Sequence, residues 1–144
     1  MTPLQFSCTL ENQSDVAGLA VEMWMDNAKF FDFYIPPGQN KVVYELSEDN
    51  TDHVLQIVMK NKTQDHTTVD ADGNIVADSL ITVKNIAFDD INVDQLFYEN
   101  STYTHDCNGT AEIAAHEFFG SMGCNGTVEF QFSTPFYIWL LEHL

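Results

Sequence analysis

The sequence predicts an all-β fold, an antiparallel β-sandwich. Three observations carry that expectation: apolar residues recur with a period of two, turn residues punctuate the chain about every ten residues, and helical periodicity is scarce. In "VEMWM" Val21, Met23 and Met25 share one face while Glu22 and Trp24 share the other. "KVVYEL" turns Val42, Tyr44 and Leu46 inward, and "VEFQF" sets Val128, Phe130 and Phe132 against Glu129 and Gln131, the signature of a strand with one wet face. Further strands are expected at Leu4 to Leu10, His53 to Met59, Leu80 to Phe88 and Phe136 to Leu141, with Trp139 in the core. The inward pattern of Ile81 and Val83 resumes one residue out of phase at Ile86 and Phe88, which predicts a β-bulge near Lys84-Asn85.

Between these runs lie Asp26-Asn27, Pro36-Pro37-Gly38, Asp72-Gly73, Asn108-Gly109 and Asn125-Gly126, all turn chemistry. The tetrapeptide "CNGT" occurs at Cys107 and again at Cys124, and two Asn-Gly hairpin turns account for it. The best helical candidate is a single turn near Ala111 to Phe119. At 144 residues, with no linker and no low-complexity segment, residues 1–144 read as a single domain.

Composition excludes several partners. The chain has 22 acids against five bases, a formal charge of −17, and every base is a lysine. Such a surface repels phosphate backbones and lacks the guanidinium forks that grip them, so nucleic acid is not an expected partner. Anionic membrane surfaces are disfavoured for the same reason. The chain also has no apolar run of the roughly eighteen residues needed to span a bilayer. "MTPLQFSCTLENQ" shows neither the basic leader nor the apolar core of a secretory signal, so export by that route is not expected. Cys8, Cys107 and Cys124 are an odd count that allows one bridge at most. Asn-x-Ser/Thr sequons at Asn12, Asn61, Asn100, Asn108 and Asn125 matter only in a glycosylating pathway.

Four aspartates, Asp65, Asp70, Asp72 and Asp78, crowd the stretch "KNKTQDHTTVDADGNIVAD". Closely spaced carboxylates suit calcium, which takes oxygen ligands, and these four are the candidate metal ligands. An EF-hand does not fit, because Thr68 and Ser79 fall where acids are required. The alternative is a β-hairpin whose Asp72-Gly73 supplies a tight turn. His105, Cys107, His116 and Cys124 form a second mixed set of zinc-type ligands, in a spacing that matches no familiar finger or ribbon.

The chain lacks the Gly-x-Ser-x-Gly elbow, the P-loop and the dinucleotide fingerprint, and no carboxylate pair stands out by spacing, so a non-catalytic protein is expected. Trp24 falls on the face that alternation assigns to solvent, where its ring would stack on a pyranose. Tyr98 and Tyr103, in "LFYENSTYTHD", would serve similarly. The opposing view places Trp24 under a loop or in a second core face.

Two resemblances add to this. The segment "HVLQIVMKNKTQDHTTVDADGNIVADSLITVKNIAFDDINVDQLF", with "YTHDCNGT" and "FFGSMGCNGTVEFQFSTPFYIWLLEHL", resembles a domain of virion structural proteins of tailed marine cyanophages. The order "VEMWMDN", "HVLQIVM", "ITVKNIAFDDINV" is similar to jelly-roll carbohydrate-binding modules, including the calcium-dependent xylan-binding group. The first resemblance implies a virion location, with glycans or other virion proteins as partners. The second implies a jelly-roll sandwich and sugar contact mediated by calcium. A lectin-like module is the reading expected, and a structural capsid or tail component without a small ligand is its rival.

Overall fold

A computed structural model describes residues 3–13, 18–62, 67–105 and 113–144, with the side chains of residues 67–68 and 75–78 outside that description. In chain order the strands are β1 (Leu4–Asn12), β2 (Ala20–Met25), β3 (Ala28–Tyr34), β4 (Gly38–Leu46), β5 (Asp52–Lys60), β6 (Thr67–Val69), β7 (Ile75–Asp78), β8 (Ile81–Phe88) and β9 (Ile91–Asn92). Helix α1 (Asp94–Asn100) follows, then β10 (Ser101–His105), β11 (Ala114–Glu117), β12 (Ser121–Met122), β13 (Gly126–Ser133) and helix α2 (Phe136–His143).

Two sheets face each other in a jelly-roll sandwich. One runs β12-β8-β1-β4 with β9 beside β8, and the other runs β11-β10-β13-β5-β2-β3. The pairings are antiparallel, so each strand can send alternate residues into one shared core. Val21, Met23 and Met25 of β2 meet Leu4, Phe6 and Leu10 of β1 in that core, all buried. Val42, Leu46, Val128, Phe130 and Phe132 are buried as alternation predicts. No helix among the described residues is long and apolar enough to cross a membrane.

Turn chemistry explains the register. Asp26 and Asn27 both adopt positive φ, 52° and 68°, the twist that a two-residue hairpin between β2 and β3 requires. Gly73, at φ 83°, serves the β6–β7 hairpin. Asn125-Gly126 is a correction: β12 and β13 lie in different sheets, so no hairpin turns there, and Gly126 already pairs with Met59 in the ladder. Asn125 instead clasps the Lys62 backbone, accepting from its N–H at 2.8 Å and donating to its carbonyl at 3.0 Å.

The expected bulge is present. Ser7 pairs with Ala87 and Thr9 with Lys84, so Cys8 faces both Asn85 and Ile86. Asn85 takes φ 52°, and the phase change leaves Ile81, Val83, Ile86 and Phe88 all inside. The freed amides are caught by α1, whose Asp94 carboxylate accepts from Ile86 N at 2.6 Å and Asn85 N at 3.2 Å.

Helices depart from expectation in two places. "FYIWLL" forms α2 rather than a strand. Phe136 and Trp139, one turn apart, bury one face against Phe130 and Phe132, while Tyr137, Ile138 and Leu141 stay exposed. A continuous apolar run carries no period to separate these outcomes. The Ala111 to Phe119 turn is replaced by the exposed strand β11, with residues 111–112 outside the description.

His53, buried on β5, ties the β2–β3 turn to the approach of α2. Its Nδ1 lies 2.6 Å from Asp26 Oδ2 and its Nε2 lies 3.0 Å from Asp49 Oδ1. Burial disfavours the imidazolium, but hydrogen bonds and charge from Asp26 and Asp49 outweigh it and raise the pKa above 6.5. Asp49 is lowered to about 2, chiefly by the Thr51 hydroxyl and then by His53. A raised histidine pKa stabilises fully below the unfolded value, and that stability is lost as pH rises through the folded value. A lowered carboxylate pKa stabilises above the unfolded value and fails as pH falls toward about 2. The melting-temperature gap between the parent and His53→Gln should therefore shrink from about pH 6 to about pH 9. A constant gap would show that His53 folds as the neutral imidazole.

Candidate functional site

The outer face of the six-stranded sheet gathers the chemistry. Glu22 and Trp24 alternate outward on β2, since Val21, Met23 and Met25 face in. On β3 a bulge intervenes: Met23 pairs with Phe31 but Trp24 with Lys29, leaving Phe30 as the extra residue. Lys29, Asp32 and Tyr34 then project outward together. The pairings lay out three rows across the face: Tyr34–Ala20–Lys60, Asp32–Glu22–Val58 and Lys29–Trp24–Gln56.

The two acids of the middle row link the lysines of the rows on either side into an ion network. Lys60 Nζ lies 2.6 Å from Glu22 Oε2 and 3.0 Å from Asp32 Oδ1, and Lys29 Nζ lies 3.0 Å from Asp32 Oδ2. The Lys60 hydrogen bond, followed by that from the Trp24 indole, lowers the pKa of Glu22; Lys60 and then Lys29 do the same for Asp32. Both acids in turn raise Lys60. These groups stay charged through the neutral range, presenting fixed donors and acceptors.

Ala20 is the smallest side chain in its row, and its size leaves a recess. A hollow of about 200 Å³ is floored by Ala20 and walled by Tyr34, Asp32, Lys60 and Asn61. Tyr34 is 70% exposed, so its ring is open to solvent at the rim. Round the edge of the sheet a second groove of about 450 Å³ is lined by Phe31, Phe33, Ile35, Pro36 and Asn40. It lies where the two sheets end at β3 and β4, and Phe33 there is 62% exposed.

The three aromatics singled out in the sequence occupy different surroundings. Trp24 is half-buried on the outer face; its indole N–H donates to Glu22 Oε1 at 3.1 Å, and Lys29 Nζ sits 5.6 Å from the ring centroid. Tyr98 lies on α1 with its hydroxyl donating to the Val83 carbonyl at 2.6 Å, and burial pushes its pKa up to about 12. Tyr103 is buried, only 4% exposed, and its hydroxyl donates to the Cys124 carbonyl while accepting from Cys124 N at 3.0 Å. Tyr98 and Tyr103 meet each other's neighbourhood at Phe118, in edge-on contacts of 5.7 and 6.0 Å, away from Trp24. Sequence reasoning missed Tyr34. The available signal was "FFDFYIPPG", an aromatic run entering a turn.

Of the four aspartates, Asp65 lies outside the described residues, as does the side chain of Asp78 on β7. Asp70 Oδ1 accepts from the backbone N–H groups of Asp72 and Asn74, at 2.9 Å each, closing the turn. The Asn74 bond leads the causes that lower its pKa. Asp72 is exposed beside it. Among the described residues, no group of three or more His, Cys, Asp or Glu is placed to hold a metal ion. His105 and His116 do come together, while Cys107 lies outside the described residues.

No family model and no curated protein matches the sequence. Among solved structures, the chain is similar to a carbohydrate-binding module described as vCBM60 in complex with galactobiose, with a TM-score of 0.51 and 10% sequence identity over 88% of this chain and 96% of that one. At that identity the likeness establishes a shared fold.

Proposed function

We propose that the chain is a non-catalytic carbohydrate-binding module. The observation that carries this reading is the recess over Ala20, with Tyr34 standing open at its rim, Lys60 across from it and the Asp32 carboxylate beside it on β3. A pyranose laid against the Tyr34 ring would bury its C–H face there. Its hydroxyls would exchange hydrogen bonds with Lys60 as donor and Asp32 as acceptor. Ala20 to Trp24 is four residues, about 13 Å along the strand, so the ligand would be a short oligosaccharide crossing the face toward Trp24. The vCBM60 likeness supports the reading, since that architecture holds a disaccharide in its own case. The cyanophage resemblance supplies a setting, a virion that recognises glycans.

The groove at Phe33 favours a second reading, a virion component that packs through its sheet edge.

The test is affinity electrophoresis against a panel of algal and bacterial polysaccharides, run in calcium and in chelator. Parent protein should bind at least one polysaccharide, and Tyr34→Ala should weaken it at least tenfold, about 1.4 kcal/mol, without lowering the melting temperature by more than a few degrees. Trp24→Ala should weaken it less, because Lys29 already covers part of that ring. Retention only in calcium would assign the sugar to the aspartate-rich hairpin. Absence of retention under both conditions, with self-association in light scattering, would favour the edge-packing reading.

A further inference from the structure

Both ring nitrogens of His53 face carboxylates, and the two come from different segments of the chain. Asp26 Oδ2, in the β2–β3 turn, lies 2.6 Å from Nδ1, and Asp49 Oδ1, between β4 and β5, lies 3.0 Å from Nε2. A carboxylate only accepts, so satisfying both contacts takes both ring protons, and the ring in this arrangement is an imidazolium. It is buried and stacked on Phe132 of β13 with centroids 5.4 Å apart. Asp52 of β5 and Glu142 and His143 of α2 are the further titratable groups beside it, lining with His53 one hollow of about 360 Å³.

The two carboxylates are held in different ways. Asp26 is fixed by backbone: its N–H donates to the Val54 carbonyl at 2.9 Å, and its Oδ1 accepts from Val54 N at 2.8 Å. Asp49 is tied by side chains, since its Oδ1 accepts from the Thr51 hydroxyl at 2.6 Å and the Thr134 hydroxyl at 3.3 Å as well as from His53. The residue before it reaches α2, where Glu48 Oε1 accepts from Phe136 N at 3.0 Å. The first amides of a helix find no acceptor within the helix, and Glu48 supplies one. Segment 47–51 thus bears on His53 at one residue and on the start of α2 at the next.

We propose that protonated His53 latches segment 47–51 over the start of α2, and that loss of one ring proton releases the latch. The proton that stays is the one on Nδ1, in the shorter contact with Asp26. The Nε2 lone pair then points at Asp49 Oδ1, and two acceptors 3.0 Å apart repel. The Thr134 hydroxyl, 3.4 Å from Nε2, turns to donate to the neutral ring, so Asp49 loses two of its three donors in one step. Asp49 swings toward solvent and draws Glu48 off Phe136. Burial opposes the charge on His53, but hydrogen bonds and charge from Asp26 and then Asp49 raise its pKa above 6.5. The latch is therefore complete below the ordinary histidine value and is lost as pH rises through the folded value.

Nuclear magnetic resonance of the whole chain between about pH 6 and pH 9 provides the test. The His53 ring should lose its proton within that window, and the backbone amides of Asn50 and Phe136 should shift with the same midpoint. Exchange of the Phe136 amide, taken relative to its intrinsic rate at each pH, should quicken by about tenfold across the transition. Asp49→Asn should keep the segment in place and abolish the coupling, because an amide accepts from the imidazolium and donates to the neutral ring alike. His143→Gln, which removes the other imidazole of the hollow, should leave the transition unchanged. A ring that titrates while Asn50 and Phe136 stay still would overturn the latch, as would a ring that keeps one protonation state throughout. A transition that vanishes with His143, or persists in Asp49→Asn, would assign the signal to another group and overturn the proposal equally. Should Asp49→Asn unfold, agreement or disagreement between the ring and amide midpoints in the parent decides.

Discussion

Truncation of Phe88 to alanine should destabilise the protein by about 3–5 kcal/mol, lowering the melting temperature by on the order of 10 °C. Phe88 is fully buried at the bulged end of β8, where it stacks on Phe136 of α2 with centroids 4.1 Å apart. It also meets Phe6 of β1 at 5.3 Å and Phe132 of β13 at 5.1 Å. One ring therefore joins both sheets and the closing helix. The void left behind is walled by other rings on separate elements, which collapse poorly into a hole, so a cavity term adds to the lost transfer free energy. Phe33→Ala is the matched control: the same side chain, 62% exposed, should change stability by no more than about 0.5 kcal/mol. Urea denaturation of the pair gives both values. A loss below about 1.5 kcal/mol at Phe88 would mean that the layers repack around the gap.

Gly126→Ala should cost about 2 kcal/mol or more, for a different reason. A Cβ at this position would lie 2.4 Å from the Thr104 carbonyl oxygen and 2.8 Å from His105 Cβ. The nearest obstruction is the backbone of a hydrogen-bonded neighbour, so it cannot rotate away; β10 and β13 would have to separate where His105 pairs with Gly126. Gly123, three residues earlier, has no heavy atom within 4 Å of its added Cβ, and Gly123→Ala should be neutral or stabilising by up to about 1 kcal/mol. Comparable melting temperatures for the two variants would show that the β10–β13 ladder yields without penalty.

Alternation was the most readable part of the chain. β2, β5 and β13 each have one face in the core and one outside, so the side-chain period of two survives in the letters, and the phase slip at Asn85 was legible for the same reason. β3 was not, because it is an edge strand with its own bulge, and Lys29, Phe30 and Phe31 break the alternation just where the pairing shifts. α2 was hidden by being apolar on every side, including the exposed Ile138 and Leu141. α1 is seven residues long, and its placement depends on Asp94 reaching the bulge, a contact between residues eight and nine apart that no periodicity encodes. The site divides along the same line. Trp24 is outward because its strand alternates, but the recess needs Tyr34, Ala20 and Lys60 from three strands, and only the register brings them into one row.

Among the described residues, the β6–β7 hairpin pairs as a two-stranded sheet of its own, and at its tip Asp70 Oδ1 accepts from the backbone N–H groups of Asp72 and Asn74. The ladders of the sandwich do not run through it. Chain length at Asp72-Gly73 is therefore decoupled from the register of β5 and β8 on either side, and an insertion there would add surface without asking any core residue to move. In evolutionary terms the hairpin is a place where one lineage can carry a short turn and another a long binding loop on an unchanged scaffold. Sequence divergence among proteins of this architecture should then concentrate at that tip in length as well as in composition.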